Sequence, residues 1–251
     1  MQAEGFIKGR PMSLAVLDYG LFKVHSNGRI IGISGFAIQT DENETILVDT
    51  GLPEKYAKDA QSASEEDRLD EFGEVLACTL DNLPSAQLAK LGLTTEDVTL
   101  HVCTHSHIDH VGGLHAFPEA PILISANERK LAKPLYWGNA RPIDWPECDY
   151  IRVESDVRVG PGLTVLEAPG HSPGQIALLV ELPFQSVMLT SDAISRVEEF
   201  DEKFVGAWNE AAANVSAERL MKLAAENDAF VIYGHCPKQW PNLRKAPETY
   251  S

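Results

Sequence analysis

The sequence predicts an α/β protein organised around a mixed β-sheet, and three observations predict it. Short runs of branched apolar residues, bounded by turn formers, recur along the chain. Stretches of helical character fall between them, which is the alternation of layered α/β folds. One pair of runs is joined too tightly for a parallel crossover, so part of the sheet must pair antiparallel. The 251 residues, 44% of them hydrophobic, suffice for one large domain with a substantial core or for two fused halves, and length alone does not choose.

In chain order, "TILVDTG" (45–51) reads as a strand, followed by a helix over 64–83, "SEEDRLDEFGEVLACTLDNL", and a short one over 85–92, "SAQLAKLG". "VTLHVCT" (98–104) and "APILIS" (120–125) read as two further strands. The segment 133–150, "KPLYWGNARPIDWPECDY", is the most irregular stretch and reads as an insertion or lid rather than a domain boundary. "LTVLEAPG" (163–170), "QIALLVEL" (175–182) and "SVMLTSD" (186–192) supply three more strands, the last two joined through "PFQ". Leu220, Leu223 and Ala224 recur at helical spacing behind Ser216, which predicts a helix over 216–227 capped by that serine. "AFVIYGH" (229–235) closes the series as a last strand.

Lysine and arginine number 21 against 37 aspartate and glutamate, a formal charge of −16. Such a balance repels phosphate backbones and anionic headgroups, which argues against nucleic acid and membrane as partners. No apolar run approaches the roughly 20 residues of a bilayer span. The N-terminal stretch lacks a basic start followed by an unbroken apolar segment, so a cytoplasmic protein is expected. The cysteines Cys78, Cys103, Cys148 and Cys236 are scattered, with no C-x-x-C pair, and are expected as reduced thiols.

Chemistry concentrates in "THSHIDHVGGL" (104–114), where three of the chain's eight histidines and an aspartate fall within six residues. On an extended segment leaving a strand, His105 and His107 project to one side with Asp109 following, while His110 points differently, so the chain can cup a site. Imidazole nitrogens and carboxylate oxygens are ligands for zinc and similar divalent ions, and a glycine pair lets backbone come close to one. A solvated, histidine-rich turn is the bland alternative. It loses because His171 in "APGHSPG", His235 in "VIYGHCP" and Asp192 in "MLTSDA" also sit at or just beyond expected strand ends. Strand-end loops are where open α/β architectures place their chemistry. A metal site with room for two ions is therefore expected, whereas His25, His101 and His115 lack such context and read as structural or surface groups.

With these residues in place, the chain resembles the metallo-β-lactamase superfamily. Its H-x-H-x-D-H hallmark is matched by His105, His107, Asp109 and His110, and the likeness runs from "ILVDTG" through "APILIS", "VGPGLTVLEAPGHSPGQIALLVE" and "LTSDA" to "YGHC" in family order. Within the superfamily it is most similar to the N-acyl-homoserine lactone lactonases. The resemblance implies a single domain over 1–251, folded as a four-layer αβ/βα sandwich of two mixed β-sheets flanked by helices. It implies two divalent metal ions, zinc foremost, with His105, His107 and His171 holding one, Asp109, His110 and His235 the other, and Asp192 bridging them. Asp49 would orient a ligand imidazole from behind. The implied activity is hydrolysis of a lactone ring, that of N-acyl-homoserine lactones, with quorum quenching as the consequence, or that of a related lactone. In that scheme the ions activate a shared water for attack on the ester carbonyl and Asp109 protonates the departing alkoxide. A homodimer is implied as well, as in many relatives.

Two positions depart from the family pattern. Lactonases of this branch often carry a tyrosine three residues after the bridging aspartate, and Ser195 stands there. Its shorter hydroxyl cannot reach as far, so either another donor takes over that task or the preferred substrate differs, with Ser195 itself a candidate to assist the substrate carbonyl. Cys236 follows the last ligand position, where relatives commonly have an acidic residue. For the acyl chain, Tyr136, Trp137 and Trp145 of the irregular segment, with Phe72 and Leu76 of the early helix, are expected to line an apolar pocket. Other hydrolases on the same fold stand as alternatives, among them a thioesterase of the glyoxalase II type, a β-lactamase, a phosphotriesterase or an arylesterase. The charge speaks against a nuclease.

Overall fold

The computed structural model describes residues 3–251, so the first two residues of the expected unit lie outside it. The described residues form two mixed sheets. The larger contains β1 (Pro11–Val24), β2 (Ile30–Thr40), β3 (Thr45–Val48), β4 (Gly73–Ala77), β5 (Val98–Val102), β6 (Ile122–Ser125) and β7 (Tyr150–Val153), in the order β4-β1-β2-β3-β5-β6-β7. Pairing is antiparallel from β4 to β3 and parallel from β3 to β7. The smaller contains β8 (Val157–Gly160), β9 (Leu163–Glu167), β10 (Ile176–Glu181), β11 (Ser186–Ser191) and β12 (Ala229–Tyr233), in the order β12-β11-β10-β9-β8, with only β11 and β12 parallel. The helices are α1 (Glu54–Lys58), α2 (Ala60–Asp67), α3 (Pro84–Ala89), α4 (Ile108–Val111), α5 (Ala126–Arg129), α6 (Glu199–Glu202) and α7 (Glu210–Glu226).

The two-residue period of a strand sends alternate side chains to opposite faces, and this builds the layers. Leu14 and Val16 of β1, Ile46 and Val48 of β3, and Leu178 and Val180 of β10 meet in one core between the sheets. Their neighbours Ala15, Leu17 and Leu47 pack outward against Tyr56 of α1 and Leu88 of α3. On the far side, Ala177, Leu179 and Met188 pack against Ala213, Ala217, Leu220 and Ala224 of α7. The result is helix, sheet, sheet, helix, the four layers that the resemblance implied.

Seven expected strands are present, and "QIALLVEL" and "SVMLTSD" pair antiparallel as their tight connection requires. Five further strands, β1, β2, β4, β7 and β8, were not anticipated. β1 and β2 are buried on most of both faces, so their sequences lack the polar alternation that marks a half-exposed strand. The helix expected over 64–83 is a correction. It ends at Asp67, where Arg68 turns left-handed at φ 59°, and gives way to a short turn and then to β4 on the edge of β1. Phe72 and Leu76 are therefore not helical: Phe72 ends the turn and Leu76 lies on β4. The last helix begins earlier than expected. Asn209 caps it by accepting from the Ala212 amide, whereas Ser216 sits inside it and donates its hydroxyl to the Pro169 carbonyl at 2.7 Å.

Candidate metal centre and substrate cleft

Each strand that feeds the site does so at its C-terminal end: β3 delivers Asp49, β5 the loop of His105 and His107 leading into α4, β9 the turn of His171, β11 Asp192 and β12 His235. His105 Nε2 lies 3.0 Å from His107 Nδ1, which lies 2.9 Å from His171 Nε2. Ring nitrogens converging in this way cannot all be N–H donors, and their lone pairs aim at a common point. Burial above all holds His105 well below its ordinary pKa, brings His107 down to about 3 and lowers His171. All three are neutral at pH 7, the form that ligates a metal.

A second group adjoins the first. Asp109 Oδ2 stands 3.3 Å from His235 Nε2 and 3.7 Å from His110 Nε2. Asp192 faces both groups: its Oδ2 lies 3.3 Å from His171 Nε2 and 3.9 Å from His105 Nε2, its Oδ1 3.2 Å from His235 Nε2 and 3.6 Å from His110 Nε2. Burial alone would lower His110, but Asp109, Asp49 and Asp192 outweigh it and hold the imidazole up to about 9. His235 is raised well above its ordinary value against the same burial, chiefly by Asp192. The local surplus of negative charge favours a cation. His110 Nε2 and Asp192 Oδ1 are moreover buried without a hydrogen-bond partner among the described residues. An orphaned buried polar atom costs about 1–3 kcal/mol unless something satisfies it. Within each of the triads His105–His107–His171, His105–His110–Asp192 and Asp109–His110–His235, the candidate ligand atoms lie within 4.8 Å of one another. The donor set fits divalent ions.

Behind this layer, backbone and side chains fix the imidazoles. Asp49 Oδ2 accepts from His110 Nδ1 at 2.8 Å and from the Thr104 hydroxyl at 2.7 Å, and its Oδ1 accepts from the Thr104 amide at 2.9 Å. His235 Nδ1 donates to the Gly32 carbonyl at 2.9 Å. The fully buried Glu128 of α5 joins two loops: Oε1 accepts from the Ser106 amide and hydroxyl at 2.9 and 2.5 Å, and Oε2 from the Ser172 hydroxyl and Gly174 amide at 3.0 Å each. Gly112 lets the histidine loop press against the segment after β3. Its amide donates to the Gly51 carbonyl at 2.8 Å, and a Cβ there would stand 2.1 Å from the Leu52 carbonyl carbon. Ser191, just before Asp192, adopts φ 45° and ψ −145°, a conformation that surrounding structure must impose.

The site opens into a cleft of about 550 Å³ lined by His107, Asp109, His171, Asp192, Ser195 and His235, and by Val24, Arg29, Ile31, Phe72, Trp137, Arg196 and Phe204. A small apolar crevice of about 60 Å³ continues from Asp109 between Phe22, Ile31, Ile33, Leu52, Leu69, Phe72, Ile108 and Trp137. Phe72 and Trp137 thus reach the cleft, with ring centroids 5.0 Å apart. The other three expected pocket residues do not, which is a correction. Leu76 lies half-exposed on β4, Trp145 packs in a core with Val111 and Leu114, and Tyr136 is buried with its hydroxyl on Asp67 at 2.6 Å. The segment 133–150 is anchored to the histidine loop, the Tyr136 amide donating to the Ser106 carbonyl at 2.8 Å and the Ile108 amide to the Tyr136 carbonyl at 3.1 Å. Glu128, Arg29 and Arg196 escaped the sequence reading. Only Arg196, next to the departure at Ser195, carried any local signal.

Comparison with known proteins agrees with this geometry. The family model described as metallo-beta-lactamase superfamily matches residues 32–235. An N-acyl homoserine lactonase of Bacillus cereus is 32% identical over 221 residues, covering 85% of this chain and 84% of that protein. The N-acyl homoserine lactonase AttM of Rhizobium radiobacter is 32% identical over 183 residues, covering 66% and 68%. Among solved structures, an N-acyl homoserine lactone hydrolase with the product N-hexanoyl-L-homoserine bound at its catalytic metal center superimposes with a TM-score of 0.81 at 25% identity, over 96% of this chain and 100% of that one. AidC, a dizinc quorum-quenching lactonase, shares the fold at a TM-score of 0.65 and 19% identity, over 99% and 97%. The chain belongs to the metallo-beta-lactamase superfamily.

Proposed function

We propose that the protein is a metal-dependent lactonase that hydrolyses the ring ester of N-acyl-homoserine lactones, a quorum-quenching reaction. The observation that carries this reading is Asp192, whose two carboxylate oxygens face two separate groups of ligand atoms at 3.2 to 3.9 Å. The relatives named as lactonases support the substrate class. His105, His107 and His171 would hold one divalent ion and Asp109, His110 and His235 the other, with Asp192 shared; nitrogen and oxygen donors of this kind suit zinc. Such ions supply Lewis acidity to a carbonyl oxygen and bring the pKa of a water toward 7.

The chain's own residues do the rest. Asp109 lines both cleft and crevice. A carboxylate that ligates a metal is ionised, and from this place Asp109 takes the proton from the attacking water and passes it to the ring oxygen as that bond breaks. Ser195 borders the same cleft beside Asp192 and offers its hydroxyl to the substrate carbonyl. Phe72 and Trp137 hold the acyl chain, at about 0.8 kcal/mol per buried methylene, and keep water from that wall. The charge of −16 suits a small-molecule substrate rather than nucleic acid or a membrane surface, and no helix among the described residues is long and apolar enough to cross a membrane. A cytoplasmic location, one domain over 1–251 and a homodimer complete the proposal, these last carried by the sequence reading.

The test is a panel of substrates with the metal-loaded protein: an N-acyl-homoserine lactone, a γ-lactone, a thioester, a β-lactam and a phosphotriester. The highest kcat/KM is expected on the acylated lactone, and His107→Ala and Asp192→Asn should each lower it by more than about a hundredfold. A clear preference for any other class replaces the lactonase reading.

A further inference from the structure

We propose that Arg29 and Arg196 form an oxygen-binding subsite in the cleft and select lactones whose ring bears an acylated nitrogen over alkyl lactones of equal size. The inference rests on the lactonase reading and names the residues that would give it specificity.

Arg29 ends the turn that joins β1 to β2. The Val24 amide donates to the Arg29 carbonyl at 2.9 Å and the Arg29 amide to Asn27 Oδ1 at 3.0 Å, which sets the turn over the cleft. Among the described residues its guanidinium makes no hydrogen bond or ion pair, and its Nε is buried without an acceptor. Arg196 approaches from the turn after Asp192 and is buried. One terminal nitrogen, Nη2, bonds to Glu202, while Nη1 has only Glu198, at 4.0 Å. Glu199 Oε2 fixes that turn by accepting from the Ser195 and Arg196 amides at 2.7 and 3.4 Å. Burial, and then the neighbouring Arg196 cation, pull Arg29 below the ordinary arginine range.

Arg29 and Arg196, near enough for their charges to interact, thus line the cleft together with Asp192, His171 and His235, the Arg29 guanidinium without an acceptor among the described residues. Glu199 and Glu202, which line the same cleft, and the neighbouring Glu198 compensate their charge. What the pair presents to the cleft is a fork of N–H donors with little surplus positive charge, which suits a neutral carbonyl oxygen better than a second anion. The apolar rings of Phe72 and Trp137 line the same cleft. A polar acceptor followed by an aliphatic chain is the pattern of an acylated amine. The donors also stand next to Ser195, whose hydroxyl is short for the task of orienting a substrate.

The test compares N-hexanoyl-homoserine lactone with γ-decalactone on the metal-reconstituted enzyme and on R29M, R29K and R196M. Discarding a charged donor to a buried oxygen should lower the ratio of kcat/KM, acylated over alkyl, by about ten- to a hundredfold in R29M and R196M, mainly through KM. R29K, which keeps the charge but not the planar fork, should show a smaller fall in the same direction. A ratio within about twofold of wild type in R29M and R196M overturns the inference, whether the two substrates slow together or neither does. If the wild-type enzyme opens neither lactone, the lactonase reading fails first and takes the subsite with it.

Discussion

Glu128 belongs to no motif, yet its carboxylate accepts four hydrogen bonds from the loops that carry His107 and His171. Glutamine there keeps the shape but turns an amide N–H2 toward two of the four donors. Glu128→Gln is therefore expected to weaken metal binding by about ten- to a hundredfold, read by competition titration with a chelating dye, and to lower Tm by several degrees. Unchanged metal affinity would mean that the loops hold their places without it. The contrast with His105, His107, Asp109 and His110 shows what a sequence displays at this scale. Ligands concentrate rare residue types at short spacing, so they stand out. A carboxylate whose partners lie 22 to 46 residues away in "SANERK" looks like any surface glutamate until the chain is folded. Arg29 was hidden for the same reason.

β5 illustrates the scale of the element. It lies between β3 and β6, and its His101 is fully buried near Phe117 with neither ring nitrogen hydrogen-bonded among the described residues. Burial lowers its pKa from 6.5 to about 4. The unfolded chain therefore takes up the proton first as pH falls, and the stability present above pH 6.5 is lost progressively down to about 4. That difference amounts to about 2 kcal/mol by pH 5 and about 3 kcal/mol by pH 4. In H101L this component should vanish, so denaturant unfolding of wild type and variant should diverge between pH 7 and 5. Parallel profiles would refute the assignment. Strands such as β3, β10 and β12 were legible because compact apolar runs end in turn residues. β1 and β2 were not, being buried on both faces, and β4 was masked by helix-forming neighbours until its edge pairing with β1 decided the outcome. Tertiary pairing overrode local preference there.

For the whole molecule, two sheets packed face to face bring five strand-end segments, far apart in sequence, to one edge. The fold, and the convergence of the histidines and aspartates on one edge, were legible because the family order of motifs reports both. The shape of the cleft was only half legible, since Phe72 and Trp137 reach it while Leu76, Tyr136 and Trp145 do not. Distance along the chain does not say which aromatic side chains fold inward. The most direct test of a paired-ion lactonase is titration of the metal-free protein with Zn²⁺ while following ring opening of N-hexanoyl-homoserine lactone. Activity should be absent at the start, rise with added metal and level off near two equivalents per chain; full turnover without metal, or a plateau with no turnover after two equivalents are bound, would contradict it.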